Sequence, residues 1–350
     1  MILRAKIPLR ISFSGGGTDV DPFCSQFGGN IISSAISKYV YASLEERRDD
    51  KIKIVSLDYN KTIKFNIKKE IALRGNLKLI KAIVNFFKPY RKGFNLYIHC
   101  DAPTGSGLGT SGCLGSMLIK LIGEFKKIKI SIEKAAEIAL EIEREVIKIS
   151  GGKQDQYAGL LGGFNFLKFK DKYKCSHKKI KLNKNFIEEL AYNSLLVYTK
   201  KKHYSHDLLS NQVKRYEKKI PLTINSLHKT NKLTFKTLTH FKSGDIHKIG
   251  RSLDYAWNLK KQMNPLVTTK DIDLFYKKLK KIGVYGGKIL GAGAGGYMLI
   301  VLPFYLKTKA IKLIKKSKME VSDFNFVDQG LKIWKVKKSK INKFNKKYFI

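Results

Sequence analysis

Acidic residues, cysteines and long apolar runs are all scarce in this sequence of 350 residues. Its four cysteines are far apart and form no C-x-x-C pair, which argues against both zinc sites and disulfide frameworks. No run of about eighteen or more apolar residues occurs, so we expect no membrane-spanning helix and no membrane partner. The first residues become charged again too soon to form the apolar region of a secretory signal, which predicts a cytoplasmic protein.

The shortage of acidic residues leaves the chain strongly basic. Lys and Arg number 69 against 28 Asp and Glu, and the formal net charge is +41 at pH 7. Such an excess could serve nucleic-acid binding, because Lys and Arg that neutralise phosphates supply most of the non-specific affinity. The lysines are spread over nearly every segment, however, and no RNP-like aromatic strand or zinc-finger spacing accompanies them. We therefore expect a solvated basic surface that attracts anionic substrates, and we do not expect nucleic acid as a partner.

No internal repeat and no Pro-, Ser- or Gln-rich linker divides the chain. Strand-like alternation mixes with helical periodicity in the first half, whereas helical patterns dominate much of the second half. The lysine-rich stretch at 170–184 is the best candidate for a seam, which predicts two domains, 1–185 and 186–350. The predicted early strands are Tyr39 to Leu44, Lys51 to Ser56 and Lys61 to Phe65.

The most informative segment is a glycine-rich stretch between a predicted strand and a predicted helix. Phe94 to Cys100 alternates as a strand does, and the apolar periodicity from Leu114 to Phe125 is that of a helix with one broad buried face. Glycines between them allow the backbone to curl and to point N–H groups at an anion beside the positive helix N-terminus. We interpret the segment as a phosphate-binding loop, and an ordinary glycine-rich turn is the alternative.

The type of phosphate loop narrows the possible classes of enzyme. No G-x-x-x-x-G-K-[ST] string occurs, which excludes P-loop kinases. Two G-x-G-x-x-G strings begin at Gly107 and Gly291. A dinucleotide-binding fold would also need a second strand ending in an acidic residue, whereas the chain after Phe125 passes through a lysine-rich turn into another helical pattern. An NAD-dependent oxidoreductase therefore remains only an alternative.

A second helical pattern carries a carboxylate on its apolar stripe. The pattern runs from Ser131, a predicted N-cap, to Ile149, and its apolar stripe includes Val146 and Ile149. At about 100° per residue, Glu143 falls on this stripe, whereas the neighbouring glutamates point sideways or outward. A buried carboxylate needs a compensating cation. Glu143 is therefore either the partner of a lysine or a Mg²⁺ ligand that faces the phosphate loop.

Asp155 follows the turn Ser150–Gly152 and is a candidate general base. The same position suits an aspartate that caps a turn or the N-terminus of a helix. The sequence alone leaves both interpretations open.

Three segments together resemble the motifs of the GHMP kinases, the superfamily of galactokinase, homoserine kinase and mevalonate kinase. They are residues 8–19, 103–112 and 288–296, in the order in which the family has them. The second segment departs from the commonest form of its motif by Thr110 and Gly112, and both changes are small. The likeness spans residues 8–296 and therefore covers most of the chain.

The resemblance implies an α+β (α/β) fold with two domains and a site in the cleft between them. The N-terminal domain would be α/β and similar to ribosomal protein S5, and the C-terminal domain would be ferredoxin-like. The first motif and the string Gly151–Tyr157 are similar to the branch that phosphorylates D-glycero-D-manno-heptose 7-phosphate. Gly15–Gly17 replaces the Gly-Glu-His of galactokinase-like members, which argues against galactose. An L-fucose or heptose 1-kinase remains the alternative within the superfamily.

The resemblance also implies the roles of individual residues. Asp155 would act as the base, and Arg10 would keep it ionised and stabilise the transferred phosphoryl group. ATP and a sugar phosphate would be the substrates, with Mg²⁺ held by Ser111 and Glu143. A homodimer is one candidate assembly. Residues expected to bind the ATP phosphates are Pro103, Gly105, Ser106, Gly107, Leu108, Gly109, Thr110 and Ser111. Residues expected at the sugar are Gly16, Gly17, Thr18, Asp19, Gly293 and Lys260, although Lys260 could equally lie on a solvated helix face.

Overall fold

The structure is a computed structural model that describes residues 1–75, 77–170, 172–201 and 205–336. It is a mixed α and β architecture, as the sequence predicts, and it contains two sheets. No helix within these described ranges has the length and apolar character needed to cross a lipid bilayer.

The first sheet is built around two long strands that pair antiparallel, β1 with 13 residues and β2 with 18. The order along the sheet is β12-β1-β2-β5-β3-β4, and β6 joins β2 to the edge strand β7. Only the pairing of β3 with β5 is parallel among the described strands. The strands are β1 Ile2–Ser14, β2 Gly29–Glu46, β3 Lys51–Ser56, β4 Lys61–Asn66, β5 Phe94–Cys100, β6 Phe164–Phe169, β7 Cys175–Lys179 and β12 Lys332–Val336.

The second sheet has the order β11-β8-β10-β9, with antiparallel pairing throughout its described strands. These strands are β8 Ser194–Tyr198, β9 Gly286–Ile289, β10 Tyr297–Val301 and β11 Glu320–Ser322. The α-helices of both halves are α1 Phe23–Phe27, α2 Lys78–Phe86, α3 Thr110–Phe125, α4 Ile132–Glu141, α5 Gln154–Leu161, α6 Lys184–Tyr192, α7 Ser205–Glu217, α8 Pro221–Lys242, α9 Ile246–Met263, α10 Lys270–Lys281 and α11 Lys307–Lys316.

Both faces of β10, in the second sheet, are buried. In β10, Tyr297, Leu299 and Val301 belong to the large core that includes the first sheet, whereas Met298 and Ile300 belong to a separate core with α10 and α11. This division follows from the alternation of side chains along a strand. The strand β10 therefore lies between the two cores.

The helix predicted from 131 to 149 is interrupted. After α4, residues Ile142–Val146 form a π-helical turn, which a 3.0 Å bond from Ile147 N to the carbonyl five residues earlier closes. The prediction that Val146 and Ile149 lie on the buried stripe is wrong, since these side chains are 50% and 37% exposed. The physical reason is that the wider turn takes up an extra residue and rotates the following side chains off the buried face.

The division of the chain at residues 185 and 186 stays a prediction. The stretch predicted as a seam contains β7, which pairs with β6 in the first sheet. The strand β12 also pairs with β1, so the described end of the chain returns to the first sheet.

Candidate active site

The glycine-rich segment forms a tight loop between β5 and α3. Gly105, Gly107 and Gly109 all have φ between +73° and +81°, where glycine avoids the strain of a Cβ. The hydroxyl of Ser106 is buried and has no hydrogen-bond partner among the described residues, which leaves it available to a ligand. Because the loop ends at the N-terminus of α3, its N–H groups and the helix dipole favour an anion there.

Not every residue predicted in this loop reaches the pocket. Those that line it are Gly105, Ser106, Gly107, Gly109, Thr110 and Ser111. Pro103 is not among the lining residues. Leu108 is fully buried in the core, and its carbonyl oxygen accepts a 3.1 Å bond from Arg10 N. Leu108 therefore joins the loop to β1 rather than facing a ligand.

A second glycine loop, residues 290–296, packs directly against the first. A Cβ on Gly291 would lie 2.5 Å from the Cα of Gly107, so side chains are excluded where the loops meet. The N–H of Tyr297 also donates to the Ser106 carbonyl at 2.9 Å. This loop joins β9 to β10 and opens no helix, so its G-x-G-x-x-G string is not a dinucleotide-binding fingerprint.

The second loop contributes Gly291 and Ala292 to the pocket. Gly293, the residue predicted to approach the sugar, is directed elsewhere: a Cβ there would lie 2.6 Å from the Cβ of Val267. The structure thus gives Gly293 a packing contact, and its neighbours line the pocket instead.

Arg10 and Asp155 meet in the pocket. Arg10 Nε and Nη2 each lie 2.7 Å from Asp155 Oδ1, and Arg10 Nη1 donates to the Gly107 carbonyl at 2.6 Å. The Arg10 side chain is 3% exposed, whereas that of Asp155 is 26% exposed. Asp155 is the second residue of α5 and its carboxylate binds Arg10, so it does not cap the helix. The pair places an accessible carboxylate beside a buried guanidinium.

Gly112 makes this placement possible. A Cβ on Gly112 would lie 2.6 Å from the Cβ of Asp155, so only glycine lets α3 and α5 approach this closely. Gly112, where the commonest form of the second motif has Ala, therefore leaves room for Asp155 at this position.

Asp19 is 1% exposed and holds the start of α5. Its Oδ2 accepts bonds of 2.8 Å from Lys153 N and 3.1 Å from Gln154 N, and Oδ1 accepts from Gly17 N at 3.2 Å. Burial, and next the charge of Asp155, raises the pKa of Asp19, while the backbone donors oppose this rise. Asp19 lines the pocket, but its main protein contacts fix the helix that carries Asp155.

The other predicted sugar-binding residues of the first motif divide into two groups. Gly16 and Gly17 line the pocket. Thr18 is fully buried, and its hydroxyl donates to the Gly15 carbonyl at 2.8 Å and accepts from Asn30 N at 3.2 Å. Thr18 is absent from the pocket lining and stabilises the turn from behind.

Glu143 is buried, as predicted, and lies opposite the start of α3. Ser111 Oγ donates to Glu143 Oε1 at 3.0 Å, and Gln156 Nε2 donates to Oε2. The compensating cation is Arg144, whose Nη1 lies 3.3 Å from Oε2, so the predicted lysine partner is wrong. Burial raises the pKa of Glu143, and the Arg144 guanidinium opposes this rise.

Two lysines enter the pocket from the second half of the chain. Lys260, on α9, donates to the carbonyls of Ile289 at 3.2 Å and Gly291 at 2.5 Å, so it does not lie on a solvated helix face. Lys288, on β9, is 5% exposed and also lines the pocket. Burial lowers the pKa of both lysines, that of Lys288 to about 7, and Arg10 contributes to each shift.

Lys288 is the first residue of the third motif and had no predicted role, although the sequence carries a signal for it. It is the single charged residue in the 25 positions between Lys281 and Lys307, in a chain that is 28% charged. A lone lysine in an apolar and glycine-rich strand segment indicates burial, and a buried lysine that lines a cleft is a candidate for function.

Comparisons with known proteins agree with this geometry. Residues 78–163 match the profile of the GHMP kinases N terminal domain. A D-glycero-alpha-D-manno-heptose 7-phosphate kinase from Campylobacter jejuni is 30% identical over 338 residues, which cover 95% of this chain and 99% of the relative. A crystal structure of a D-glycero-D-manno-heptose 1-phosphate kinase from Bacteriodes thetaiotaomicron has a TM-score of 0.80 and 27% identity, and covers 96% of this chain and 99% of that chain.

A crystal structure of a putative sugar kinase from Campylobacter jejuni is also similar, with a TM-score of 0.77 and 30% identity. It covers 96% of this chain and 98% of that chain. The heptose 7-phosphate kinase from Campylobacter jejuni matches over nearly the full length of both chains, and its 30% identity shows that the two proteins belong to one family. The oxidoreductase alternative is therefore wrong. The chain belongs to the GHMP kinases and is an ATP-dependent sugar kinase.

Proposed function

We propose that the protein transfers the γ-phosphoryl group of ATP to the anomeric hydroxyl of D-glycero-D-manno-heptose 7-phosphate. The product, heptose 1,7-bisphosphate, would feed nucleotide-activated heptose and surface polysaccharide. The observation that carries the reaction type is the Arg10–Asp155 pair, which lies in a pocket between two glycine loops. The choice of acceptor is supported by the near-full-length likeness to a heptose 7-phosphate kinase and by the basic side of the pocket.

In this proposal Asp155 is the catalytic base. Its carboxylate accepts the proton of the anomeric hydroxyl as the oxygen forms a bond to the γ-phosphorus of ATP, and the bond from that phosphorus to the β,γ-bridging oxygen breaks to release ADP. The anomeric hydroxyl is more acidic than an ordinary alcohol, so a modest base suffices once it is well positioned. The 26% exposure of Asp155 lets a bound hydroxyl reach it.

Arg10 serves both reacting partners. Its Nε and Nη2 hold and orient the Asp155 carboxylate, and its Nη1 donates to the Gly107 carbonyl of the phosphate loop. A buried guanidinium in this place stabilises the charge on the transferred phosphoryl group, because few water molecules screen it.

Ser111 and Glu143 fit a Mg²⁺ ion. A hydroxyl and a carboxylate oxygen only 3.0 Å apart are hard oxygen ligands, and Mg²⁺ commonly takes one or two protein oxygens together with substrate phosphates. Within the described ranges no group of three or more His, Cys, Asp or Glu could hold a metal alone, which agrees with such a shared site. The ion would neutralise charge on the ATP phosphates. Arg144 and Gln156 hold the second oxygen of Glu143 and so orient the carboxylate.

Phosphorus NMR tests the proposal directly. The reaction would contain Mg·ATP and D-glycero-D-manno-heptose 7-phosphate, with mannose 6-phosphate, L-fucose and galactose in parallel. A new anomeric phosphate signal with the heptose phosphate alone supports both the reaction and the acceptor. A signal with a free sugar instead would keep the kinase and overturn the acceptor.

Asp155→Asn tests the base. We expect turnover to fall by about 10²- to 10⁴-fold, because general-base catalysis contributes about that much. The dissociation constant of ATP should change little, since the hydrogen bonds of the Asp155 carboxylate are with Arg10 and not with the phosphate loop. Asp273→Asn is the matched control, because Asp273 also pairs with a cation, Lys261, but lies outside the pocket. Turnover near that of wild type in Asp155→Asn would contradict the assignment.

A further inference from the structure

Lys288 is a buried cation whose ammonium group has no hydrogen bond and no ion pair within the described part of the chain. Its direction follows from strand geometry. Ile289, the next residue of β9, belongs to the separate core of the second sheet, so Lys288 takes the opposite face and lines the pocket. A buried charge without a partner costs several kcal/mol, and an anionic ligand would offset this cost.

The other cations around Lys288 are already engaged. Arg10 pairs with Asp155, and Lys260 donates to two backbone carbonyls, one of them on Ile289, next to Lys288. The acidic group that opposes the shift in the pKa of Lys288 is Asp19, which is itself bonded to backbone N–H groups. Lys288, when protonated, is therefore a positive charge in surplus on this side of the pocket, and a neutral sugar cannot compensate it.

Two observations place this surplus charge on the acceptor side of Asp155. Met263 lies one turn beyond Lys260 on α9, and its sulfur would be 3.4 Å from a Cβ on Gly17, so this end of α9 packs on the first motif. Glu143 and Ser111 instead lie at the start of α3, where the phosphates of ATP are expected. This agrees with the charges that act on the pKa of Lys288, which are those of Arg10 and Asp19 in the first motif. Lys288 thus lies on the side of the first motif.

We propose that Lys288, together with Lys260, forms a subsite for the phosphate group of the acceptor and so makes the enzyme selective for a sugar phosphate over a free sugar. This inference rests on the proposed function, since it names the residues that would recognise the phosphate of that acceptor. A phosphate monoester dianion fits the site because it supplies two negative charges and several acceptor oxygens. These oxygens would accept from the ammonium group of Lys288 and from that of Lys260, which also donates to two carbonyls.

The test compares Lys288→Met with wild type on two acceptors, D-glycero-D-manno-heptose 7-phosphate and the unphosphorylated heptose. We expect kcat/KM for the sugar phosphate to fall roughly 10- to 100-fold, as for the loss of one hydrogen bond between charged groups. The kcat/KM for the free sugar and the KM for ATP should change less than about threefold, within the scatter of a lost neutral contact. Lys261→Met is the matched control, because Lys261 turns away from the pocket to Asp273.

The possible results separate cleanly. If wild type does not phosphorylate the heptose phosphate, the proposed function fails and the subsite fails with it. If wild type does so, but Lys288→Met lowers kcat/KM equally for both acceptors or raises the KM for ATP, only the subsite is overturned. Should the variant not fold, inorganic phosphate is the probe of the wild-type enzyme. Inhibition competitive with the heptose phosphate supports the subsite, and inhibition competitive only with ATP overturns it.

Discussion

Replacing Lys288 by methionine should stabilise the free enzyme while it impairs the reaction. The side chain is 5% exposed, and its pKa falls from 10.5 to about 7, mainly because of burial and next because of Arg10. Methionine has a similar length without the charge. The change also relieves Lys260, whose pKa Lys288 helps to lower.

The size of the effect follows from the shift in pKa. The difference of about 3.5 units between 10.5 and about 7, at about 1.4 kcal/mol per unit, gives a cost of at most about 5 kcal/mol for the buried charge. Water in the open pocket hydrates part of the ammonium group, so we expect a gain of about 1 to 2 kcal/mol in the free energy of unfolding. With an unfolding entropy of about 2 cal/mol/K per residue over 350 residues, Tm should rise by about 1 to 3 °C.

The pH dependence identifies charge as the cause. Between about pH 7 and 10.5 the unfolded chain keeps the proton on Lys288 and the folded chain loses it, so wild-type stability rises with pH through this window. The advantage of Lys288→Met should therefore be full at pH 7 and below, and should shrink toward pH 10. Arg10, Lys260 and Asp19 face the same group, so the comparison is made as a difference between variant and wild type.

Thermal unfolding of both proteins at pH 6.5, 8 and 9.5, without substrates, measures this difference. Lys261→Met is the control, because Lys261 is paired with Asp273 and is partly exposed, so Tm should change little at any pH. A variant that is less stable than wild type at pH 6.5 would refute the reasoning. A gain that is equal at pH 6.5 and 9.5 would also refute it, since packing rather than charge would then be the cause.

Two further predictions concern the metal site and the first motif. Ser111→Ala and Glu143→Gln should each raise the Mg²⁺ concentration needed for half-maximal activity, because each removes a proposed ligand oxygen. The measurement is a magnesium titration at fixed ATP. A titration that matches wild type in both variants would remove the metal assignment. Thr18→Val should lower the free energy of unfolding by about 1 to 3 kcal/mol and retain turnover, because the buried hydroxyl forms hydrogen bonds with two backbone groups. Chemical denaturation measures this change. A denaturation curve that matches wild type, or a large rise in the KM for the sugar, would contradict the prediction.

The elements that positioned the site were predictable wherever local patterns decide structure. The alternation of Phe94 to Cys100 and the periodicity from Leu114 to Phe125 correspond to β5 and to most of α3. The burial of Glu143 also followed from its angle on the helix. The π-helical turn could not be predicted, because no residue type marks an i→i+5 bond. That turn decides where Val146 and Ile149 point.

The partners of individual side chains were harder to predict from the sequence than the helices and strands. The partner of Glu143 is its neighbour Arg144, which a search for lysines passes over. The role of Asp19 at the N-terminus of α5 depends on residues more than 130 positions apart. The homodimer, the cytoplasmic location and the absence of a nucleic-acid partner stay predictions, as do the catalytic roles.

The overall composition gives no indication that Lys288 differs from the other lysines. In a chain with a formal charge of +41, a lysine count carries little information, since almost every surface has lysines. The local absence of other charged residues carries more information, because 24 uncharged positions around Lys288 predict a buried segment. A cation kept in such a segment lowers the stability of the free enzyme, and this cost is offset only when an anion binds. Stability without ligand and selectivity for a phosphorylated acceptor are therefore expected to change in opposite directions at this one position.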